Sequence, residues 1–211
     1  MCIRDRYPLN QEGIAGEEHI AALLDRGVDL ISCSADKVLG APQGGILLGR
    51  SDLVEQMRQN HMARALRVDK MTLAGLERVL IHYWQGEFDR IPALEMVRRP
   101  ADLLRGRCER FSSALREAAA AAAEIEVVDG ESSIGGGSYP TNPLPSALVK
   151  VTLTTGVPEK LAEALRRDDP AVLVRIKGES VYMDLRTVIE EEEPILLERV
   201  ARGIGGLAGR E

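Results

Sequence analysis

A hydroxyl, a carboxylate and an amine stand within four residues of one another in Ser34-Ala35-Asp36-Lys37, and glycines follow at Gly40, Gly44 and Gly45. These residue types suit carbonyl chemistry. A lysine whose charged form is disfavoured by desolvation offers a free amine, which attacks a carbonyl carbon and forms a Schiff base. Ser34 can offer its hydroxyl to a phosphate, Asp36 can set the environment of the lysine, and the glycines let backbone approach a ligand closely. The flanking sequence gives Lys37 its place. Val28, Leu30 and Ile31 form an apolar run of strand length, and the residues from Gly44 to Gly49 form a second, so the lysine falls where a buried strand ends. That is where α/β folds place chemistry. A lone lysine after a core strand is nonetheless, as a rule, an ordinary surface lysine, and the residues alone leave both readings open.

A second set of chemistry-bearing residues lies some thirty positions on. Arg64, Arg67 and Lys70 recur at intervals of three. On a helix they would share one face; in a loop they could converge on an anion. An isolated basic cluster of this size is ordinarily a solvated face, although guanidinium forks suit a tetrahedral oxyanion better than ammonium groups do.

Both segments carry a family resemblance. SCSADKVLGAPQGGILLGR, residues 32–50, resembles the cofactor-lysine signature of the selenocysteine synthase family, the bacterial L-seryl-tRNA(Sec) selenium transferases, with Ala35 and Ala41 where the family pattern has glycine. RALRVDKMTLAGLE, residues 64–77, is similar to the family's double-arginine segment nearly residue for residue, and GESSIGGGSYPTNPLPS, residues 130–146, resembles a third family segment. The resemblance implies a fold-type-I pyridoxal-phosphate-dependent transferase, α/β in class, with part of a large cofactor domain followed by a small α+β domain. It implies pyridoxal phosphate held by Lys37 with Ser34 and Gly44, and Lys37 as the acid and base at the seryl α-carbon with Asp36 beside it. Arg64 and Arg67 would bind selenophosphate. Arg175 matches a strand position where many enzymes of this fold hold a substrate carboxylate, and Gly136 lies in the third segment, which could approach the site. The implied activity converts seryl-tRNA(Sec) to selenocysteinyl-tRNA(Sec) with selenophosphate as selenium donor. Its implied partners are tRNA(Sec) carrying serine and further copies of the chain in a homo-oligomer.

The resemblance covers roughly the C-terminal half of a family member. The N-terminal tRNA-binding domain, the ring-stacking residue and the acid facing the pyridine nitrogen have no counterpart in it. Two other readings follow: a related pyridoxal-phosphate lyase acting on a phosphorylated amino sugar acid, with the arginines on substrate phosphate, and an inactive scaffold fragment.

The elements that must position these groups are read from periodicity and punctuation. A short amphipathic helix through Ile20, Leu23 and Leu24 ends at Gly27, and the two apolar strands flank the lysine loop. Ser51 is expected to cap a helix to Asn60, and Thr72 to cap one whose positions Leu73, Leu76, Leu80, Tyr83 and Trp84 face a core. His82 is expected to be structural. A short helix from Phe88 to Val97, interrupted by Pro92, precedes a long helix from Ala101 to about Ala123 with Leu104, Cys108, Phe111 and Leu115 buried. Beyond Glu124 come two strands, a helix from Lys160 to Arg167, a hairpin turning near Gly178 and Glu179, and a closing helix, the order of an α+β domain. Residues 7–98 are thus expected to be the end of the large domain and 99–211 the small one; MCIRDR, residues 1–6, fits nothing that follows and is expected to be a non-native remnant.

Composition sets the outer bounds. In 211 residues, a 45% hydrophobic content is enough for a sizeable core. A formal net charge of −6 argues against nucleic-acid binding spread over the whole surface, yet Arg58 to Arg107 holds ten Lys and Arg against six Asp and Glu. Cys2, Cys33 and Cys108 have neither disulfide-framework nor zinc-ligand spacing, which predicts a cytoplasmic protein without a structural metal. No apolar run has the length of a membrane span. The C-terminal Gly-Ile-Gly-Gly-Leu-Ala-Gly follows a helix rather than a strand and is not a dinucleotide loop.

Overall fold

The computed structural model describes residues 20–134 and 143–208. Residues 1–6 and Gly136, both singled out above, lie outside the described residues. The chain divides into two compact units: the residues up to Arg98 together with Ser133–Leu144, and Arg99–Ser132 together with the residues from Pro145 on.

In the first unit, helix α1 (Ile20–Asp25) leads through Gly27 into strand β1 (Leu30–Ser34), which pairs antiparallel with β2 (Gly45–Gly49), Leu30 opposite Gly49 and Ser34 opposite Gly45. β1 is buried on one face only, Ile31 and Cys33 pointing in and Leu30 and Ser32 pointing out. Helices α2 (Ser51–Gln59), α3 (Met62–Leu66), α4 (Lys70–Gln85) and α5 (Pro92–Arg98) follow. The core gathers Cys33, Ala35, Val38 and Leu39 against Tyr83, Ile91, Leu94 and Leu144.

Two expected caps fall elsewhere. Ser51 is the first residue of α2, and Arg50 occupies the cap position with no side-chain bond to the helix. For α4 the cap is Asp69, whose Oδ1 accepts from the Met71 and Thr72 amides at 2.7 and 3.0 Å; Thr72 sits inside the first turn and returns its hydroxyl to Asp69 Oδ2. A carboxylate reaches two orphan amides and suits the helix N-terminus better than a hydroxyl does. Asp69 also stops α3 from running on into α4. Arg67 is extended (φ −66°, ψ 138°), so Arg64, Arg67 and Lys70 do not share one helical face.

The expected inward face of α4 is also corrected. Leu76, Val79 and Tyr83 pack on the core, whereas Leu73 and Leu80 are exposed and Trp84 is 75% exposed. α4 is apolar over a wider arc than one core can cover, and periodicity alone does not say which side turns inward. His82 is buried at 7% exposure and bonds Glu87 through Nδ1 at 2.8 Å, a structural role as expected.

In the second unit α6 (Ala101–Ala119) buries Leu104, Cys108, Phe111 and Leu115 as its periodicity predicts. The helix stops before the end of the alanine run: Ala120 takes φ 49°, a tight turn covers Ala120–Ala122, and Ala123 is already in β3. Helix propensity yields here to tertiary packing, because Ile125 must return to the core and its carbonyl accepts from Arg116 of α6. The sheet has the order β3 (Ala123–Ser132), β4 (Leu144–Leu153), β6 (Ser180–Asp184), β5 (Arg175–Lys177), with β4–β6 and β5–β6 antiparallel. Val149, Val151, Val181 and Met183 present one face to α6, to Leu161 and Leu165 of α7 (Pro158–Arg166) and to Val200 and Ile204 of α8 (Glu193–Ala208). The terminal glycine motif runs within α8 as far as Ala208, the last described residue, in agreement with its dismissal as a nucleotide loop.

Burial gives a direct test of this packing. Leu115→Ala, at a fully buried position, should lower the urea-unfolding free energy of the unit by about 2–5 kcal/mol, whereas Trp84→Ser in the same 211-residue chain should change it by less than about 0.5 kcal/mol.

Candidate functional site

Lys37 projects from the loop between β1 and β2, and the loop is held from beneath. Ala35, Val38 and Leu39 are between 1% and 5% exposed. The Ala35 amide donates to Gly44 O at 2.8 Å, the Ala41 amide to Ala35 O at 3.0 Å, the Gly40 amide to Lys37 O at 2.9 Å, and Tyr83 Oη to Leu39 O at 3.3 Å. Gly40 reverses the chain at φ +73°; a Cβ there would lie 2.7 Å from Ile91 Cγ2, so both conformation and contact require glycine. With residues 35, 38 and 39 turned down, 36 and 37 must turn up.

On the upper side Ser34 Oγ donates to Asp36 Oδ1, and Lys37 Nζ donates to Asp36 Oδ2 at 2.9 Å. The hydrogen bond from Ser34, and after it the one from Lys37, hold the Asp36 carboxyl below the usual carboxylate range. Lys37 is 39% exposed on its side chain. The desolvated lysine expected from the sequence is therefore not what the described residues form; β1 lacks cover on one face, and the amine keeps water and a counter-ion. Asp36 occupies both neighbours, so Ser34 would have to turn from Asp36 to meet a phosphate.

A cavity of about 520 Å³ opens beside these groups, lined by Ser32, Cys33, Ser34, Asp36, Lys37, Gln43, Gly44 and Gly45. The structure thus brings Lys37, Asp36, Ser34 and Gly44 together. It does not bring Arg64 or Arg67 into that lining. Arg64 is in the last turn of α3, Arg67 follows it and borders a separate groove with Leu30, Leu47, Met62 and Leu66, and among the described residues neither guanidinium has a carboxylate partner. Their link to the lysine loop is the next residue along, Val68, whose Cγ1 would lie 3.5 Å from a Cβ on Gly44. Arg175 belongs to the second unit, where it is occupied by Glu131 O at 3.1 Å and Asp184 Oδ2 at 3.4 Å.

Sequence reasoning passed over Gln43, which adds an amide to the cavity rim, and Tyr83, whose hydroxyl steadies the loop. The Asp-x-x-Thr spacing of Asp69 and Thr72 is a cap signal that could have been read. Cys33 and Cys108 are buried, their thiols donating to Ile46 O and Ala147 O, and burial pushes the Cys108 thiol up to about 11. Among the described residues no cluster of three or more His, Cys, Asp or Glu could hold a metal.

Comparison with known proteins fixes first the class. The solved structure of D-glucosaminate-6-phosphate ammonia-lyase shares this fold at a TM-score of 0.60, over 92% of this chain and 48% of that one, at 19% sequence identity. At that identity the likeness shows the fold alone, an α/β architecture shared with that lyase. Sequence then carries the assignment further. Residues 6–189 match the family described as L-seryl-tRNA selenium transferase. The L-seryl-tRNA(Sec) selenium transferase of Carboxydothermus hydrogenoformans is 39% identical over 185 residues, 87% of this chain and 40% of that protein. Its namesake in Desulfovibrio desulfuricans is 38% identical over 204 residues, 94% and 43% of the two chains. The chain belongs to the L-seryl-tRNA selenium transferase family, and it spans about two fifths of the length of these relatives.

The pairing at Asp36 has a pH signature. Because its carboxyl is held down in the folded state, Asp36 keeps its charge to a lower pH than an unpaired aspartate does, and the stability this contributes is lost as pH falls through the lowered value. A carbon-detected NMR titration should find the Asp36 midpoint below that of an unpaired aspartate, and Ser34→Ala should raise it.

Proposed function

We propose that this chain carries the lysine loop of an enzyme that uses pyridoxal phosphate to convert seryl-tRNA(Sec) to selenocysteinyl-tRNA(Sec) with selenophosphate, in selenocysteine biosynthesis. The observation that carries the reading is the Lys37 amine, held outward by a buried loop with a carboxylate and a hydroxyl at its side. The donor set fits the aldehyde and phosphate ends of the cofactor: a primary amine with access to the cavity, the Ser34 hydroxyl, and the glycine backbone at Gly44. Pyridoxal phosphate, when bound, supplies an electron sink for the α-carbon of the seryl group.

The residues of the chain divide the remaining work. Lys37 Nζ holds the cofactor and takes and returns the seryl α-proton, and Asp36 keeps the amine oriented and electrostatically paired. Arg64 and Arg67, unpaired with carboxylates among the described residues, hold the selenium-donating anion through charge-assisted hydrogen bonds and orient it toward the β-carbon. The first unit then forms the end of the cofactor domain and the second the small α+β domain. tRNA(Sec) carrying serine is the macromolecular substrate. The exposed apolar side of α4, with Leu73, Leu80 and Trp84, supports assembly into a homo-oligomer. No described helix is long and apolar enough to cross a membrane, and the proposed location is the cytoplasm.

A lyase acting on a phosphorylated amino sugar acid would use the same fold. That reading rests on architecture at 19% identity, whereas the transferase reading rests on 38–39% identity across most of the chain.

In the protein at its full natural length, Lys37→Ala should abolish the visible absorbance that pyridoxal phosphate gains on condensing with a lysine; an unchanged spectrum refutes the central assignment. Arg64→Ala and Arg67→Ala should each lower selenium transfer by about 10- to 100-fold with that absorbance intact. Normal transfer in both variants would remove their role.

A further inference from the structure

The chain passes between its two units three times, at residues 98–99, 132–133 and 144–145. One side chain of the second unit bonds to that unit's residue at all three passages. Arg186 is 4% exposed, and its guanidinium donates through Nη1 to Arg99 O at 2.8 Å, through Nε to Ser132 Oγ at 2.9 Å and through Nη2 to Pro145 O at 2.6 Å. The bonding is returned from the other side, since Arg99 Nη1 donates to Arg186 O at 2.6 Å. Asp184 sets the geometry: its Oδ2 accepts from Ser132 Oγ at 2.6 Å and its Oδ1 from the Arg186 amide at 3.1 Å, which leaves the serine oxygen facing the guanidinium. Three acceptors in three directions match the planar fork of an arginine and no other side chain.

The grip continues along the backbone toward the lysine loop. Pro145 O is one residue from Leu144, which is 8% exposed and packs in the cluster of Cys33, Ala35, Val38 and Leu39. Pro143 and Pro145 flank Leu144 and restrict it to extended conformations, so holding Pro145 leaves Leu144 little freedom. On the other side Ser132 is two residues from Ile134, which packs against the same cluster. That cluster is the underside that turns Lys37 upward.

We infer that Arg186 is a positioning residue for the Lys37 loop, fixing the ends of the 133–144 segment whose Leu144 and Ile134 brace the loop from below. Its bearing on catalysis rests on the reading of Lys37 as the cofactor lysine; the mechanical coupling does not.

Hydrogen exchange on the 211-residue chain tests the coupling without any cofactor. Arg186→Gln should speed exchange of the Ala35 and Ala41 amides by about 10-fold or more. Leu161→Ala, which opens a cavity in the second unit's core at a side chain that makes none of the three contacts, should leave those amides unchanged even where it lowers the stability of that unit as much. Ser132→Ala removes one of the three contacts in a chain that keeps its buried guanidinium, and should move the same amides in the same direction by about 3-fold. Unchanged loop amides in a folded Arg186→Gln or Ser132→Ala chain, or an equal rise in Leu161→Ala, overturn the inference. In the full-length protein Arg186→Gln should also weaken pyridoxal phosphate binding, with rescue by Arg186→Lys only partial. A wild-type protein that takes up no cofactor would count against the proposed function and leave the exchange result standing.

Discussion

The structure around the candidate site depends on burial beneath a loop. Val38 and Leu39 go under, with Ala35, onto Tyr83, Ile91 and Leu94, and each large aliphatic side chain so buried is worth about 1.5–3 kcal/mol. The polar side carries an exposed ion pair, and such pairs are commonly worth less than about 1 kcal/mol. The apolar side therefore decides the conformation, and the polar side is free to change partners. Such a division suits the role proposed for Lys37, in which the backbone holds still while the amine exchanges one counter-charge for a ligand. The Asp36 carboxylate, low in proton affinity and bonded to both Ser34 and Lys37, orients the amine.

The same division explains where the two arginines stand. Asp69 caps α4 through two amides and so ends the helical run that would otherwise join α3 to α4. The break extends the backbone at Arg67 and leaves Val68 to pack beside Gly44. One residue thus faces the loop while its neighbour stays exposed, and the spacing between the arginine pair and the lysine loop is set by packing at Val68 rather than by a bond between the charged groups.

Much of this was legible in the sequence, for identifiable reasons. Leu104, Cys108, Phe111 and Leu115 fall on one helical face, and the strands around the lysine loop are bounded by glycine and by a charged turn; local pattern and tertiary structure agree there. The Lys37, Asp36, Ser34 and Gly44 grouping was legible because it lies within a dozen residues. What local pattern could not supply was competition. Asp69 outbids Thr72 for the cap because it reaches two amides. Ala120 leaves the helix, against its propensity, because Ile125 needs the core. The solvation of Lys37 was misjudged because a strand's apolar residues say that it can be buried, and not that anything lies on its second face. Arg186 was invisible for a different reason, since its partners are 87, 54 and 41 residues away in sequence.

The exposed side of α4 follows from the same reasoning about faces. Leu76, Val79 and Tyr83 lie along one edge of the apolar arc of α4, and Leu73, Leu80 and Trp84 along the other, so the arc holds two adjacent stripes and one core contact covers only the first. The sequence marks both as core-like because both need cover. The lysine loop takes the first stripe, since Tyr83 also supplies the hydroxyl that Leu39 O accepts. β1 repeats the pattern, with Ile31 and Cys33 covered and Leu30 exposed, and a two-stranded sheet has little stability of its own. Both uncovered faces belong to the first unit, the one that holds the lysine. The open face of β1 and the outer side of α4 are thus uncovered in the same way among the described residues. Among the described residues Lys37 has its orientation from the loop beneath it, and its amine stays exposed.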